Sequence, residues 1–371
     1  MEETRNMSEC YDLCDKEILY NYICKARQNN TMEHRSDHIR WEIEIIYQTM
    51  KCFVNPSISI IGLIGNILSI CILIQSGFKK PSNVFLLALT ISDSLYLIRP
   101  ISAPSLLKVF GPSKLRPLVY GWEFPENFAF FAFVVEKSIM CFVGWGSYVS
   151  TSLPAVITLE RFIAVYFPLR LKTVVTVKRA IFIVAGIYFF WLFWSVFVYA
   201  SWFSFEYHTL SEDVYYGIDV YSQFFFDNAN IMFPLYFLAL NYLTSVFPIS
   251  ITIVSCILIA LKIRIAQRRR RKLTKHKKTY TSRTTRTLLA VSLIFAIAHG
   301  TYFILSYIFQ DVMVAGTDES RVVGEFLVAL VLFSSASNFF VYVFLNSGFR
   351  KLFLDMTLKH IICRKGGTEA V

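Results

Sequence analysis

Several polar side chains interrupt stretches of sequence that are otherwise almost entirely apolar. Asp93 lies inside one such stretch, and Glu160 and Arg161 form an adjacent acid and base at the end of another. A buried polar group without a partner is costly, so side chains of this kind are expected to bind one another, water or an ion. The residues expected to share one hydrogen-bonded, water-filled cluster are Asn66, Asp93, Ser334, Ser335 and Asn338.

Catalytic chemistry has little support in the sequence. His299 is the only histidine inside an apolar stretch, so we expect no group of His, Asp or Cys ligands at the helical spacing that a catalytic metal requires. Internal repeats of the kind typical of transporters do not occur. We therefore expect that the protein is not an enzyme, with a seven-span membrane hydrolase as a remote alternative. No nucleic-acid partner is expected.

The elements that must position these side chains are membrane-spanning helices. Of the 371 residues, 55% are hydrophobic and only 17% are charged, which lies outside the range of ordinary soluble domains. A helix needs about 20 mostly apolar residues to cross the hydrocarbon core. Seven stretches are long enough: Val54–Ile74, Val84–Val109, Ser138–Leu159, Ala180–Phe205, Ile231–Leu261, Thr287–Phe309 and Val322–Leu345. The expected fold is an all-α membrane protein, a bundle of seven helices.

Charge predicts the orientation of this bundle. Twelve Lys or Arg and no acidic residue lie between Lys262 and Arg286, and basic loops of this kind mark the cytoplasmic side and favour contact with membrane lipid. Seven crossings then place the N-terminus outside. We expect an extracellular tail at residues 1–52, without a signal peptide, and a seven-helix domain at 53–346. Residues 347–371 are expected to form an amphipathic eighth helix and a short cytoplasmic tail.

The tail expected outside carries features typical of extracellular segments. Asn6 and Asn29 begin glycosylation sequons. Cysteines in this tail can oxidise, so one or two disulfides of undetermined pairing are expected. These cysteines are Cys10, Cys14, Cys24 and Cys52. At the other end of the chain, Cys363 closes the amphipathic stretch and is a candidate for palmitoylation.

Five motifs in order resemble those of one membrane protein family. They are Gly65-Asn66, LALTISD ending at Asp93, Glu160-Arg161-Phe162 within SLPAVITLERFIAVYFPL, Pro248, and SSASNFFVYVFLNSGFRKLF. Together they look like the signature of rhodopsin-class (class A) G-protein-coupled receptors over about residues 53 to 362. The resemblance implies a plasma-membrane receptor that transmits the binding of an extracellular ligand to a heterotrimeric G protein.

The resemblance also implies roles for individual residues. In this family the polar cluster around Asp93 holds a sodium ion, and the alternative is hydrogen bonding between helices without an ion. No other cofactor is expected. The residue matching Arg161 contacts the G protein once it is released from the acid beside it. Further residues matching the activation machinery are Pro248, Asn338 and Tyr342.

Departures from the family pattern narrow the ligand class. Val143 stands where amine receptors carry an aspartate, and no lysine for retinal lies between Val322 and Leu345. A biogenic amine is therefore not the expected ligand, and light sensing is excluded. Glu136 replaces the cysteine that the family bonds to its second outer loop. That disulfide cannot form, so the loop is expected to be either more mobile or anchored by its aromatic residues.

The residues of the family's activation switch differ as well. The usual tryptophan and proline of the sixth span read His299 and Thr301, and Phe339 replaces a proline of the seventh. Thr281 stands where an acidic partner of Arg161 is frequent. The details of the family's switch are therefore not carried over to this chain.

Two ligand classes stay open. Residues 204–230 contain five acidic residues and no Lys or Arg, a mouth suited to a cationic ligand. The chain resembles invertebrate FMRFamide-type neuropeptide receptors, and equally gastropod chemosensory receptors for environmental small molecules. A neuropeptide is the first hypothesis. The pocket candidates in the outer half of the bundle are Arg99, Glu136, Val143, Asn241, His299, Tyr302 and Glu325.

Arg99 is the most informative of these candidates. It lies about 9 Å along the helix from Asp93 and needs a partner such as Glu136 or Glu325. An internal ion pair is the first interpretation, and an anionic or carbonyl-rich ligand group is the alternative. Arrestin is a further candidate partner, although the three hydroxyls after residue 346 predict weak capture through a phosphorylated tail.

Overall fold

Seven helices in the structure are long and apolar enough to cross a membrane. The structure is a computed structural model, and it describes residues 36–78, 80–102, 121–123, 126–169, 173, 175–211, 214–235, 240, 242–273, 283–309 and 318–366. The candidate spans are Glu42–Ser76, Pro81–Ile101, Val134–Tyr166, Val177–Ser201, Tyr242–Arg268, Thr285–Ile308 and Glu319–Leu345. The predicted seven-helix bundle is confirmed. Below, "outer" and "inner" refer to the ends that the charge pattern predicts to be extracellular and cytoplasmic.

The long helices are labelled α1 to α8 in chain order. α1 comprises Ser36–Thr49, a π-helical turn at Met50–Val54, and Asn55–Ser76. The next helices are α2 Pro81–Leu97, α3 Glu126–Tyr166, α4 Val177–Ser201 and α5 Phe247–Leu273. The last three are α6 Arg283–Ile308, α7 Asp318–Leu345 and α8 Ser347–Gly366. Two short helices, Gln223–Asp227 and Ala229–Pro234, and a π-helical turn at Tyr242–Val246 precede α5.

Proline explains where several helices begin, bend or end. Pro56 has no N–H to donate, and the amide of Asn55 bonds five residues back to the Met50 carbonyl, which forms the π turn in α1. Pro81 occupies the first turn of α2. The second span was expected to reach Val109, but α2 ends at Leu97 and a 3₁₀ turn around Pro100 follows. The fifth span was expected from Ile231; Ala229–Pro234 is α-helical, Tyr242–Val246 is π-helical, and the α-helix α5 follows at Phe247.

A three-stranded antiparallel sheet adds to the bundle, and the sequence did not predict it. β1 spans Gly121–Glu123 before α3, while β2 Phe203–Ser211 and β3 Val214–Tyr221 lie between α4 and α5. β3 is central and pairs with both other strands, with Gly121 opposite Ile218 on the β1 side. The segment after α4 is therefore tied by backbone hydrogen bonds to the segment before α3. Glu136, which replaces the cysteine of the family's disulfide, lies inside α3, so the ladder joins the loop after α4 to a segment before that position.

Small residues allow α1 to pack closely against α7, and α3 to pack closely against α2. A Cβ added to Gly62 of α1 would lie 2.7 Å from the Cβ of Ala336 in α7. A Cβ added to Gly146 of α3 would lie 2.6 Å from the Cβ of Leu95 and 2.8 Å from the Ser92 carbonyl oxygen, both in α2. Membrane helices commonly meet through small residues, because lipid supplies little hydrophobic drive for their association.

α8 packs against the inner end of α7. The rings of Phe349 and Phe353 have their centroids 6.2 and 5.6 Å from that of Phe339, in edge-on arrangements. The residue that replaces a proline in α7 therefore serves as the apolar contact that holds α8 in place.

Candidate functional site

Asp93 lies at the centre of a polar network that joins three helices. Its side chain is 1% exposed. The Ser150 hydroxyl of α3 donates to Asp93 Oδ1 at 2.5 Å, and the Asn338 amide of α7 donates to Asp93 Oδ2 at 2.6 Å. Ser335 of α7 is a further polar neighbour that interacts with this carboxylate. One buried carboxylate therefore links α2, α3 and α7, and loss of any partner leaves a costly unpaired group.

Ser150 is a member of this network that the sequence reasoning missed. It precedes Arg161 by eleven residues, which is about three turns of helix, so the two residues lie on the same face of α3. A search for polar residues on the Arg161 face of α3, about three turns earlier in the helix, would have identified Ser150 as a partner of Asp93.

Two other residues expected in the cluster are buried but make different contacts. Asn66 of α1 is fully buried, and neither polar atom of its amide has a hydrogen-bond partner among the described residues. Ser334 of α7 is also buried, and its carbonyl accepts from the Ser337 hydroxyl. A buried amide without a protein partner is the kind of group that binds an internal water molecule.

The chemistry of the Asp93 network suits a hard monovalent cation. The atoms that could bind such a cation are the oxygens of the Asp93 carboxylate and of the Ser150 and Ser335 hydroxyls. Hard cations prefer oxygen ligands of this kind. In the described part of the chain, no group of three His, Cys, Asp or Glu side chains could hold a metal ion. The residues present therefore fit the sodium ion that the resemblance implies.

Glu160 and Arg161 form an ion pair at the inner end of α3. The Arg161 Nε and Nη2 atoms both donate to the Glu160 carboxylate, a two-point contact of the strong, geometrically specific kind. The two side chains are only 11% and 5% exposed, in the order Arg161 and Glu160. Thr281, expected near this pair, lies outside the described residues.

Tyr166 connects the inner ends of α3 and α5. Its hydroxyl donates to the Leu258 carbonyl at 3.0 Å, and Lys262 Nζ lies 5.1 Å from the centroid of its ring, within the range of a cation–π contact. Just beyond α3 the chain exposes Phe167 and, with 92% of its surface accessible, Leu169. The inner end of α3 thus combines a charged pair with exposed apolar side chains.

The two remaining candidates for the activation machinery lie inside helix contacts. Pro248 is buried near the start of α5. Tyr342 is 1% exposed and packs against Phe349 of α8, with ring centroids 5.5 Å apart. Its hydroxyl has no hydrogen-bond partner among the described residues.

Polar residues from four helices lie near one another at the outer end of the bundle. The Tyr96 hydroxyl of α2 bonds Arg99, and both Tyr302 of α6 and Glu325 of α7 lie within electrostatic range of it. Glu325 Oε2 also accepts from Asn55 Nδ2 of α1 at 2.7 Å. Sequence reasoning identified Arg99, Tyr302 and Glu325 but missed Asn55 and Tyr96. The π turn that ends at Val54 is the local feature that positions Asn55.

The other pocket candidates differ in accessibility. Val143 is buried in an apolar cluster that includes Tyr96, against which Tyr302 packs. His299 is buried, and its ring centroid lies 4.3 Å from that of Phe295, one turn earlier in α6. Glu136 is partly buried on α3. Asn241 lies outside the described residues.

The expected modification sites fall mostly beyond the described part of the chain. Asn6, Asn29 and the cysteines at positions 10, 14 and 24 lie outside it. Cys52 carries a free thiol that donates to Gln48 Oε1 at 3.3 Å, so a disulfide in the tail stays a prediction for the other three cysteines. Cys363 falls in α8, but its side chain is not among those described.

Comparison with known proteins agrees with this geometry. A family model described as 7 transmembrane receptor (rhodopsin family) matches residues 65–342. That segment includes Asp93, Ser150, Arg161 and Asn338. No curated protein matches the chain.

Proposed function

Because the chain belongs to the rhodopsin family of seven-transmembrane receptors, we propose that it is a plasma-membrane receptor whose extracellular ligand is a neuropeptide. Members of this family are multi-pass signalling receptors rather than enzymes, with an extracellular ligand and a G protein as partners. The proposal concerns three properties of the receptor: the class of its ligand, its location in the plasma membrane and the roles of individual residues.

The Asp93 network is the observation on which the proposed mechanism rests. One carboxylate bonds α3 through Ser150 and α7 through Asn338, so the relative positions of three helices depend on it. A ligand that binds one arrangement of these helices more tightly shifts the population toward that arrangement. A sodium ion held by Asp93, Ser150 and Ser335 would supply one positive charge to the network and favour the arrangement that binds it.

Coupling to the G protein is assigned to the inner end of α3. Opening of the ion pair with Glu160 frees the Arg161 guanidinium for a partner. Exposed Leu169 and Phe167 flank it, and an apolar anchor beside a charge is a common arrangement in protein interfaces. The basic continuation of α5 at residues 262–273 supports contact with anionic lipid and with the G protein.

A cationic peptide is proposed as the ligand because of the charges at the outer end. Residues 204–230 carry only acidic charge, which raises the local concentration of a cationic ligand. Glu325 is held in place by Asn55, so it is a preorganised partner for a basic side chain, while Arg99 beside Tyr96 is a partner for the ligand's carbonyl groups.

A chemosensory role is the second candidate function, with a small environmental molecule as the ligand. The apolar cluster that contains Val143, Tyr96 and Leu332 supports it, because apolar surface near the expected pocket favours an apolar small molecule through burial of apolar area.

The two functions are separated by a ligand screen on the full-length chain in cells. The panel contains amidated basic peptides and water-borne odorants, and G-protein dissociation is measured. Under the proposed function a basic peptide gives a response that Glu325→Gln weakens and Arg161→Ala abolishes. A response only to small molecules would favour the chemosensory function. Ligand-dependent signalling that survives Arg161→Ala would refute the proposed coupling site.

A further inference from the structure

A proline lies inside α3, between the Asp93 network and the ion pair at the inner end. Pro154 is in the interior of this helix of 41 residues. Proline carries no N–H, so the Ser150 carbonyl, four residues earlier, loses its helical donor. The residue that loses a backbone bond at its carbonyl is therefore the same residue that donates to Asp93 through its hydroxyl. Arg161 follows Pro154 by seven residues, about 10 Å along the helix.

Hydroxyl side chains further loosen the backbone on both sides of this proline. The Tyr148 carbonyl accepts from Thr151 Oγ1 and from Ser152 Oγ, each at 2.9 Å. Thr158 Oγ1 donates to the carbonyls of Pro154 and Ala155, also at 2.9 Å. Hydroxyls that bond back to carbonyls of the preceding turn compete with the helix ladder and bend helices. Residues 148–158 are thus the weakest part of the α3 backbone ladder.

The hydrogen bonds that α3 makes to other helices divide at this point. Before the proline, Trp145 Nε1 donates to the Tyr188 carbonyl of α4 at 2.9 Å, and Ser152 Oγ accepts from Trp191 Nε1 of α4 at 2.9 Å. Ser150 adds the bond to α2. After the proline, the interhelical hydrogen bond in the described chain is that from Tyr166 to α5.

The inner segment also shares an apolar cluster with α6 and α7. Ile157 is buried in this cluster with Leu288 and Val291 of α6 and with Tyr342 of α7. Apolar contacts are non-directional, so they permit sliding, whereas the hydrogen bonds of the outer segment fix its position. Among the described residues, the outer segment is therefore hydrogen-bonded to α2 and α4, and the inner segment is hydrogen-bonded to another helix only at α5.

The helices that follow carry no proline hinge of their own. Pro248 is the last proline in the sequence, so α6 and α7 contain none. Sharp bends in helices arise chiefly at proline, at glycine and serine pairs, or at π bulges. Among α3, α6 and α7, Pro154 is therefore the proline that lies between the polar network and the inner end of the bundle.

We propose that Pro154 is the hinge of this receptor, about which the inner segment of α3, residues 155–166, pivots together with α5 while residues 134–153 stay fixed. The pivot carries Arg161 relative to the rest of the inner face without breaking the bond between Ser150 and Asp93. The signalling role of this motion rests on the proposed function, whereas the hinge itself does not.

The test uses the full-length chain in lipid nanodiscs without ligand and compares Pro154→Ala with a matched control. Alanine restores the amide donor to the Ser150 carbonyl, so hydrogen–deuterium exchange of amides 151–158 is expected to slow by about tenfold. Thr158→Val removes the hydroxyl that bends the helix and should act in the same direction by a smaller factor. Leu159→Ala alters a side chain of the same helix that is exposed to lipid, and it is expected to leave exchange unchanged.

The same variants are then assayed for basal nucleotide exchange on a purified heterotrimeric G protein. Pro154→Ala is expected to lower it at least several-fold, with Thr158→Val intermediate and Leu159→Ala at the level of the unmodified chain. The hinge would be overturned if hydrogen–deuterium exchange of amides 151–158 were equally fast in Pro154→Ala and in the unmodified chain. If Pro154→Ala does not fold, unchanged hydrogen–deuterium exchange in Thr158→Val would overturn the hinge in the same way. Slower hydrogen–deuterium exchange with unaltered nucleotide exchange on the G protein would overturn the role of the hinge in signalling. If neither the unmodified chain nor any variant stimulates nucleotide exchange, the result would instead contradict the proposed receptor function.

Discussion

Asp93, Glu160 and Glu325 are three carboxylates in largely apolar helices, and each has a different hydrogen-bond partner. Asp93 accepts from neutral groups of two other helices, Glu160 pairs with the arginine beside it, and Glu325 accepts from an asparagine of α1. The three carboxylates therefore differ in their local partners rather than in residue type, and the proposed function assigns them different roles for that reason.

Ser150→Ala is expected to destabilise the bundle. The substitution removes the donor to Asp93 Oδ1 and leaves that atom buried without a partner, at a cost of about 1–3 kcal/mol. Ser138→Ala on the same helix removes only an exposed hydroxyl that bonds its own helix and serves as the control. Thermal unfolding in detergent should show a lower melting temperature for Ser150→Ala alone. Equal melting temperatures would mean that the Asp93 network contributes nothing to stability.

Glu160→Gln is expected to raise basal signalling. The glutamine keeps the shape of the side chain but removes the charge that holds Arg161, a partly buried pair worth about 1 kcal/mol. That difference corresponds to roughly a fivefold change in the population of the open form. Basal nucleotide exchange of a G protein measures it, with Glu44→Gln, an exposed neutralisation on the outer part of α1, as the control. A decrease instead would show that the pair supports the active form.

At the scale of elements, the long apolar stretches predicted the seven helices, because a span of the hydrocarbon core demands length and low charge. Their ends were less predictable. Apolarity continues past Pro100, but the backbone there follows proline chemistry rather than hydropathy, so α2 ends at Leu97. The sheet was missed because β1 and β3 pair residues almost a hundred positions apart, and a three-residue strand has no periodicity to detect.

Gly146→Ala is expected to force α2 and α3 apart. The new Cβ would lie 2.6 Å from the Leu95 Cβ and 2.8 Å from a backbone oxygen, so the helices must shift at a cost of about 1–3 kcal/mol. In Gly186→Ala, the control, the added methyl group has no neighbour within 4 Å, and alanine in a helix is favoured by about 0.5–1 kcal/mol. Melting temperatures should therefore move in opposite directions. A Gly146→Ala variant as stable as the unmodified chain would contradict this packing.

At the scale of the whole molecule, orientation follows from charge, and the helices alone do not supply it. The twelve basic residues from Lys262 to Arg286 predict one face of the bundle to be cytoplasmic, and the acidic segment 204–230 is predicted on the opposite face. The membrane position of the polar sites, with Arg161 inside and Glu325 outside, depends on this asymmetry.

An epitope placed before Met1 is accordingly expected to be stained on intact cells, and one after Val371 only after permeabilisation. Flow cytometry of the two tagged chains measures the difference. An untagged chain supplies the background, and a cytoplasmic protein carrying the same epitope verifies that the intact cells are sealed. Staining of the C-terminal epitope on intact cells would invert the assigned faces and place the basic segment outside.

The ladder between β1 and β3 also affects how the outer face responds to its surroundings. Three facing residue pairs join the segment before α3 to the loop after α4 through the backbone alone. Reducing agents cannot cut such a link, and no oxidising enzyme is needed to make it. Separating the two strands costs a few hydrogen bonds, each worth about 1 kcal/mol, so the connection is reversible and does not depend on redox conditions.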